Sequence, residues 1–408
     1  MNWRATTSPP AAMRLMAAAP HRALFLVGAT NVLAAMAWWA AWLLAARFTG
    51  RAVQPPLPAG WMHAFIMQYQ VLPPFIFGFL LTVFPRWLSR PALDARHYLP
   101  VGAGLLGGQL LTLAGLGGSP ELLRAGALLT LAGWMIGTFW LARLFAESRV
   151  FVGHALSVLV ALAFGIAGLL LYVLLLRRVD GLVAYAALKI GIMGTLVPIY
   201  FTICHRMIPF FTANVVRDYE VIRPGWALVA AWALFVAHLV LELTHAYAYL
   251  WIADAPLAIL ATGLLVFWWP GGPIPPLLRV LYLGFAWLPV AFALFTLQSV
   301  WYSISGEFAF GRAPAHALFI GFFGSLLVAM VTRVTQGHSG RPLVLGGVAA
   351  TAFAILQLVA LTRIVAEFAP DALAWQAAAA VGWVVAFLPW VLRSAWIYLT
   401  PRADGNPG

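Results

Sequence analysis

Charge is what this sequence has least of. Only 9% of its 408 residues are Asp, Glu, Lys or Arg, where a soluble domain carries about a quarter. Another 63% are hydrophobic, and the mean hydropathy is +0.92. That scarcity excludes an ordinary soluble globule. Acidic residues are the rarer charged kind, 12 against 24 basic ones. The basic residues are scattered between apolar stretches and form no patch or arm able to follow a phosphate backbone, so nucleic acid is excluded as a partner. The lone cysteine, Cys204, excludes both an internal disulfide framework and a thiolate cluster. Long loops are missing as well: none exceeds the segment 205–224. Function has to be carried within or near a membrane.

Apolar runs are what the sequence does have. A hydrocarbon core of roughly 30 Å takes about 20 apolar helical residues, because irregular backbone in lipid leaves its amides without partners. On that ruler the chain predicts an all-α polytopic membrane protein with about twelve spans, multi-pass through the lipid bilayer. They fall at 23–46, 61–83, 99–117, 123–146, 151–176, 182–204, 225–244, 247–269, 277–303, 314–334, 343–366 and 374–398, each bounded by Pro, Gly or charge. The domain plan is a tail at 1–22, a single transmembrane domain at 23–398 and a tail at 399–408. Residues 1–22, with Arg4, Arg14 and Arg22 among prolines, read as a short cytoplasmic tail and not a cleaved signal. Only Arg47, Arg51, Arg124, Arg177, Arg178, Arg312 and Arg363 fall on the side opposite the termini, and all other arginines fall with the termini. The positive-inside rule therefore places both termini in the cytoplasm. No strong internal repeat is visible.

Ionisable and metal-binding side chains are expensive in a bilayer, so each one is a functional candidate. His63 opens the second span and His316 the tenth, both near the non-cytoplasmic surface, and they share a site if those helices touch. Met67 lies four residues after His63, on the same helical face, and suits a haem edge or a soft copper ligand. The plainer reading makes both histidines interfacial anchors. His238, Glu242 and His245, four and three residues apart, project from one face at the end of the seventh span, as a transition-metal site or as part of an aromatic belt. At the cytoplasmic level the sixth span runs into Cys204, His205 and Arg206, and the tenth into Arg333, His338 and Arg341. Arginines beside histidine suit a carboxylate such as a haem propionate; equally, they are topology determinants meeting lipid phosphates. Lys189 is expected to snorkel to outer-side water. His21, His97 and His154 lie near span ends, and their spacing does not separate ligand from anchor.

The stretch HALFIGFFGSLLVAMVTRVTQGHSGRPL at 316–343 resembles the signature of the NnrS family, in which a span begins His-Ala-Leu, ends Thr-Arg-Val and is followed by Gly-His-Thr-Gly-Arg-Pro. RMIPFFTAN at 206–214 is similar to the family's Arg-x-Ile-Pro-x-Phe-Thr element, and GFLLTVFPRWLSRP at 78–91 to its Gly-Phe-Leu-Leu-Thr…Pro-x-Trp segment. The resemblance implies a metalloprotein of the bacterial inner membrane, containing haem b and copper and linked to nitric oxide metabolism or relief of nitrosative stress. If it is catalytic, it is a nitric oxide-related oxidoreductase served by a redox partner. Carried across, His63 matches the first histidine of the family's His-x-His-Glu-Met element, Met67 its methionine, and His316 the histidine opening the tenth span. Arg333, His338 and Arg341 match the loop after that span. Phe65 and Ile66 stand where the family's second histidine and glutamate are expected, Tyr282 where many members have histidine, and His205 where glycine is usual. His205 and Tyr282 share the cytoplasmic level, so one histidine is expected to replace the other in space. Two further readings stay open. Gly/Pro-interrupted helices such as 71–78 and 191–198, with Lys189, also suit a small-solute transporter or channel, and the chain could be a structural subunit of a respiratory or maturation complex.

Overall fold

A computed structural model describes residues 14–405. Every expected span is a helix, and no strand occurs among the described residues. We number the long helices α1 (Pro20–Thr49), α2 (Ala59–Trp87), α3 (Ala95–Gly115), α4 (Pro120–Ala146), α5 (Gly153–Leu175), α6 (Gly181–Ala213), α7 (Gly225–Leu243), α8 (Tyr247–Trp268), α9 (Pro276–Ser305), α10 (Ala313–His338), α11 (Gly347–Val365) and α12 (Ala372–Tyr398). Eleven of them are long and apolar enough to cross a membrane.

The exception is α3, with Arg96 and His97 in its first turn and five glycines along it. Its 21 residues still span roughly 31 Å at 1.5 Å per residue, and it runs antiparallel along α4. A Cβ placed on Gly104 would meet Gly133 Cα at 2.8 Å, and one on Gly115 would meet Leu123 N at 2.8 Å. Small residues bring the two backbones into contact over their whole length, so α3 crosses wherever α4 does. The two ends of the chain then meet at one face: Arg22 Nη1, at the start of α1, donates to the carbonyls of Tyr398 and Thr400 at 3.1 and 3.0 Å. This is the terminal face, and the opposite one the distal face.

Every fourth helix from α2 lies innermost. In the most apolar 18-residue window, 94% of α2, 61% of α6 and 89% of α10 are buried, against 33% of α8 and α12. The same three helices are interrupted by π-helical turns at Met67–Val71, Ile190–Leu196 and Ala317–Gly324. Proline explains the first. Pro73 and Pro74 carry no N–H for the carbonyls four residues back, Tyr69 and Gln70, and their rings push those carbonyls aside. Orphan carbonyls are costly in lipid, and neighbouring helices satisfy both: Trp134 Nε1 donates to Tyr69 O at 3.1 Å and Asn31 Nδ2 to Gln70 O at 2.8 Å. Gln70 Nε2 donates onward to Thr112 and Thr130 Oγ1, each at 2.9 Å. The interrupted turn is thereby tied to α1, α3 and α4.

Several helix ends lie a turn or more from expectation, and two of them carry candidate residues. The sixth and tenth spans continue to Ala213 and His338, so Arg206 and His338 are helical and not loop residues. Aromatic cover makes this possible: Arg206 Cζ lies 4.4 Å over the Trp87 ring and Arg333 Cζ 4.2 Å over the Phe211 ring, and such stacking offsets part of the cost of carrying a guanidinium on a packed helix.

Candidate functional site

The distal halves of α1, α2, α6, α10, α11 and α12 enclose a cavity of about 340 Å³, within the roughly 300–1,000 Å³ typical of cofactor pockets. His63 and His316 both line it, and so does Met67. The π turns of α2, α6 and α10 all contribute, through Gln68, Ile192 and Phe319. Interrupted turns shift side chains out of helical register and recur at functional sites for that reason.

The Trp39 ring stacks on His63 at 4.4 Å and 9°, which sets the plane of the imidazole. His316 Nδ1 lies 2.9 Å from the Arg312 carbonyl. A carbonyl only accepts, so in the neutral ring Nδ1 carries the proton and Nε2 the lone pair. Trp61, Phe319 and Trp383 supply apolar wall, while Arg312, Arg363 and Lys189 bring positive charge. The arginine count read Arg363 only as a charge on the side opposite the termini. It sits on α11, 7% exposed, paired with Glu367. Imidazoles, aromatic walls and guanidinium groups together fit a flat, largely apolar cofactor with acidic edges, which is the donor chemistry haem requires. A separate copper centre fits less well: among the described residues, no three His, Cys, Asp or Glu side chains converge to hold a metal ion.

The family departures at 65 and 66 fall away from this cavity. Phe65 is fully buried against α5, its ring stacked on Tyr172 at 3.5 Å, and Ile66 is buried beside it.

The 238/242/245 stripe is realised only at its first two positions. His245 lies beyond the end of α7 in the left-handed region (φ 57°), its Nδ1 2.7 Å from the Tyr247 hydroxyl. His238 and Glu242 belong to a buried quartet instead. His238 Nδ1 is 2.6 Å from Asp254 Oδ1, and Nε2 is 3.4 Å from Glu242 Oε2. The other Glu242 oxygen pairs with Lys189 Nζ, which therefore turns inward and does not snorkel. Asp254 went unremarked in the sequence, although a lone acid inside the eighth apolar run is a sufficient signal.

The expected basic cluster at the terminal face forms in two parts. In one, the His21 and His338 rings lie 4.4 Å apart, Arg402 Nη1 donates to His338 O at 3.2 Å, and Arg341 Cζ lies 5.2 Å over Trp396. In the other, His154 Nε2 meets His205 Nδ1 at 2.9 Å, while His205 Nε2 lies 3.1 Å from the Pro224 carbonyl, with Arg206 the next residue of α6. Burial and the neighbouring arginine Arg393 lower the affinity of the Arg341 guanidinium, in the loop after α10, for its proton. His205 and Tyr282 each neighbour Trp268. The Tyr282 hydroxyl donates to Trp268 O at 2.6 Å, and the His205 ring stands edge-on to the indole at 5.7 Å.

No curated protein matches the chain. A protein-family model described as NnrS protein matches residues 15–402, a stretch that takes in the distal cavity, the buried quartet and both terminal-face clusters. The chain belongs to the NnrS family.

Proposed function

We propose that this is a haem b protein of the bacterial inner membrane that handles nitric oxide. The observation that carries the reading is that His63 on α2 and His316 on α10, 253 residues apart in sequence (316 − 63), line one cavity. The nitrogen left free on His316 and the imidazole of His63 would hold the iron. Arg312 and Arg363 would pair with the cofactor's carboxylates. Trp39 keeps His63 from rotating, and Trp61, Phe319 and Trp383 would pack against the apolar face of the cofactor. Haem, when bound, supplies one-electron chemistry and affinity for small gases. Nitric oxide is apolar enough to arrive through lipid. Copper is left out of the scheme, because the ligand set for it is incomplete.

The arginine bias of the loops supports cytoplasmic termini, which turns the cavity toward the outer side. Transport of a small solute would use the same interrupted helices, but aromatic packing blocks the way inward: one turn below Phe319, the Phe323 ring meets Tyr200 at 4.6 Å. Adding nitric oxide to the purified, reduced protein tests the reading. The haem absorption is expected to shift or to reoxidise as the gas is bound or consumed. A spectrum and a gas concentration that both stay unchanged would count against it.

A further inference from the structure

Beside the cavity wall lies a chain of ionisable groups that the haem site does not use. Lys189 borders the cavity and is 24% exposed at its side chain. It pairs with Glu242, which faces His238, which contacts Asp254. Exposure falls inward along the chain: Glu242 is 4% exposed, His238 and Asp254 0%. The chain is therefore accessible at its Lys189 end, which borders the cavity. Asp254 Oδ2 has no hydrogen-bond partner, and His238 Nε2 has only the 3.4 Å approach of Glu242 Oε2. Unpaired buried polar atoms are expensive, and both lie on the line that joins the four groups.

Among the described residues, no other carboxyl adjoins Glu242 or Asp254. Tyr185 of α6 donates to Glu242 O at 3.3 Å, and its ring lies 5.2 Å from Lys189 Nζ. His245 and Tyr247 pair with each other at the distal surface, and from α9 the Phe295 ring stands edge-on to His238 at 5.4 Å. Across the cavity stand Arg312 and Arg363, the latter paired with Glu367.

We infer that Lys189, Glu242, His238 and Asp254 form a proton store that loads from and discharges into the distal cavity. The empty store has charged Lys189, ionised Glu242 and Asp254, and a neutral His238 whose Nδ1–H points at Asp254. In loading, Lys189 gives a proton to Glu242 and is reprotonated by water in the cavity. Glu242 passes the proton to His238 Nε2, and the Nδ1 proton moves across the 2.6 Å contact onto Asp254. One proton leaves the cavity, one O–H bond forms on Asp254, and no electron moves. Negative charge arriving in the cavity is then matched by discharge of a proton toward it. This purpose rests on the cavity being the redox site, whereas the transfer itself does not.

The test is pH-difference infrared spectroscopy of the full-length protein in detergent. A protonated-carboxyl band is expected on acidification in wild type and absent in Asp254→Asn. A band that survives in Asp254→Asn, or no band in wild type across the stable pH range, overturns the proposal. Should Asp254→Asn fail to fold, Glu242→Gln decides, since it keeps Asp254 and cuts the route. Deuterium exchange of the band is expected to slow about tenfold or more with the loss of one charge-assisted link, and an unchanged rate overturns the proposal. These readouts need no haem, so a haem-free preparation would sink the functional reading while leaving this test decisive.

Discussion

The two cavity histidines are held by different means, Trp39 stacking on one and the Arg312 carbonyl fixing the tautomer of the other. Both were legible in the sequence because histidine near the end of an apolar span stands out. Asp254 and Arg363 met the same criterion; Asp254 was passed over and Arg363 was counted only as a topology charge on the side opposite the termini. His245 was misread for a geometric reason: helical spacing holds only while the helix lasts, and the left-handed turn at 245 breaks it. The orphan carbonyls of α2 give a prediction at this scale. Asn31→Leu leaves Gln70 O without its buried donor, which is expected to cost about 1–3 kcal/mol, read as a lower unfolding midpoint in detergent. At the distal surface, a hydrogen bond from Arg47 holds the Asp371 carboxyl below its usual range. A depressed carboxylate contributes stability above its unfolded-state pKa and loses it as pH falls through the folded one. The small advantage of wild type over Asp371→Asn should therefore be present at neutral pH and vanish on acidification, as followed by thermal unfolding across pH.

At the scale of the element, the positions of all the helices were readable because the bilayer fixes their length and composition. Their ends were not. His205, Arg206 and His338 look like loop when read alone, whereas α6 and α10 continue through them, with rings from other helices over Arg206 and Arg333. The interruptions were half legible: prolines at 73, 74 and 198 flagged the stretches 71–78 and 191–198, but the π turns lie just before the prolines, where the displaced carbonyls are. Glycine carries the prediction here. A Cβ on Gly108 would overlap Thr130 Oγ1 and lie 2.9 Å from Gly126 O, whereas one on Gly263 meets nothing within 4 Å. Gly108→Val is expected to lose about 1–3 kcal/mol through overpacking of α3 on α4, and Gly263→Val to be close to neutral, in the same unfolding assay.

For the whole molecule, an even number of crossings brings Arg22 to Tyr398 and sets both termini at one face. Reporter fusions at either terminus should give the same cytoplasmic signal, and opposite signals would break the helix count. The recurrence of an interrupted, innermost helix at every fourth position escaped the sequence, since what repeats is burial and backbone geometry more than residue identity. That recurrence is what assembles the cavity from helices far apart in the chain. The central claim, that haem lies between His63 and His316, is tested most directly by the absorption spectrum of purified protein, oxidised and dithionite-reduced, for wild type, His63→Ala and His316→Ala. A b-type spectrum in wild type that is lost or altered in each variant is the predicted result. A colourless wild type from haem-replete cells, or a haem spectrum untouched by both substitutions, would contradict it.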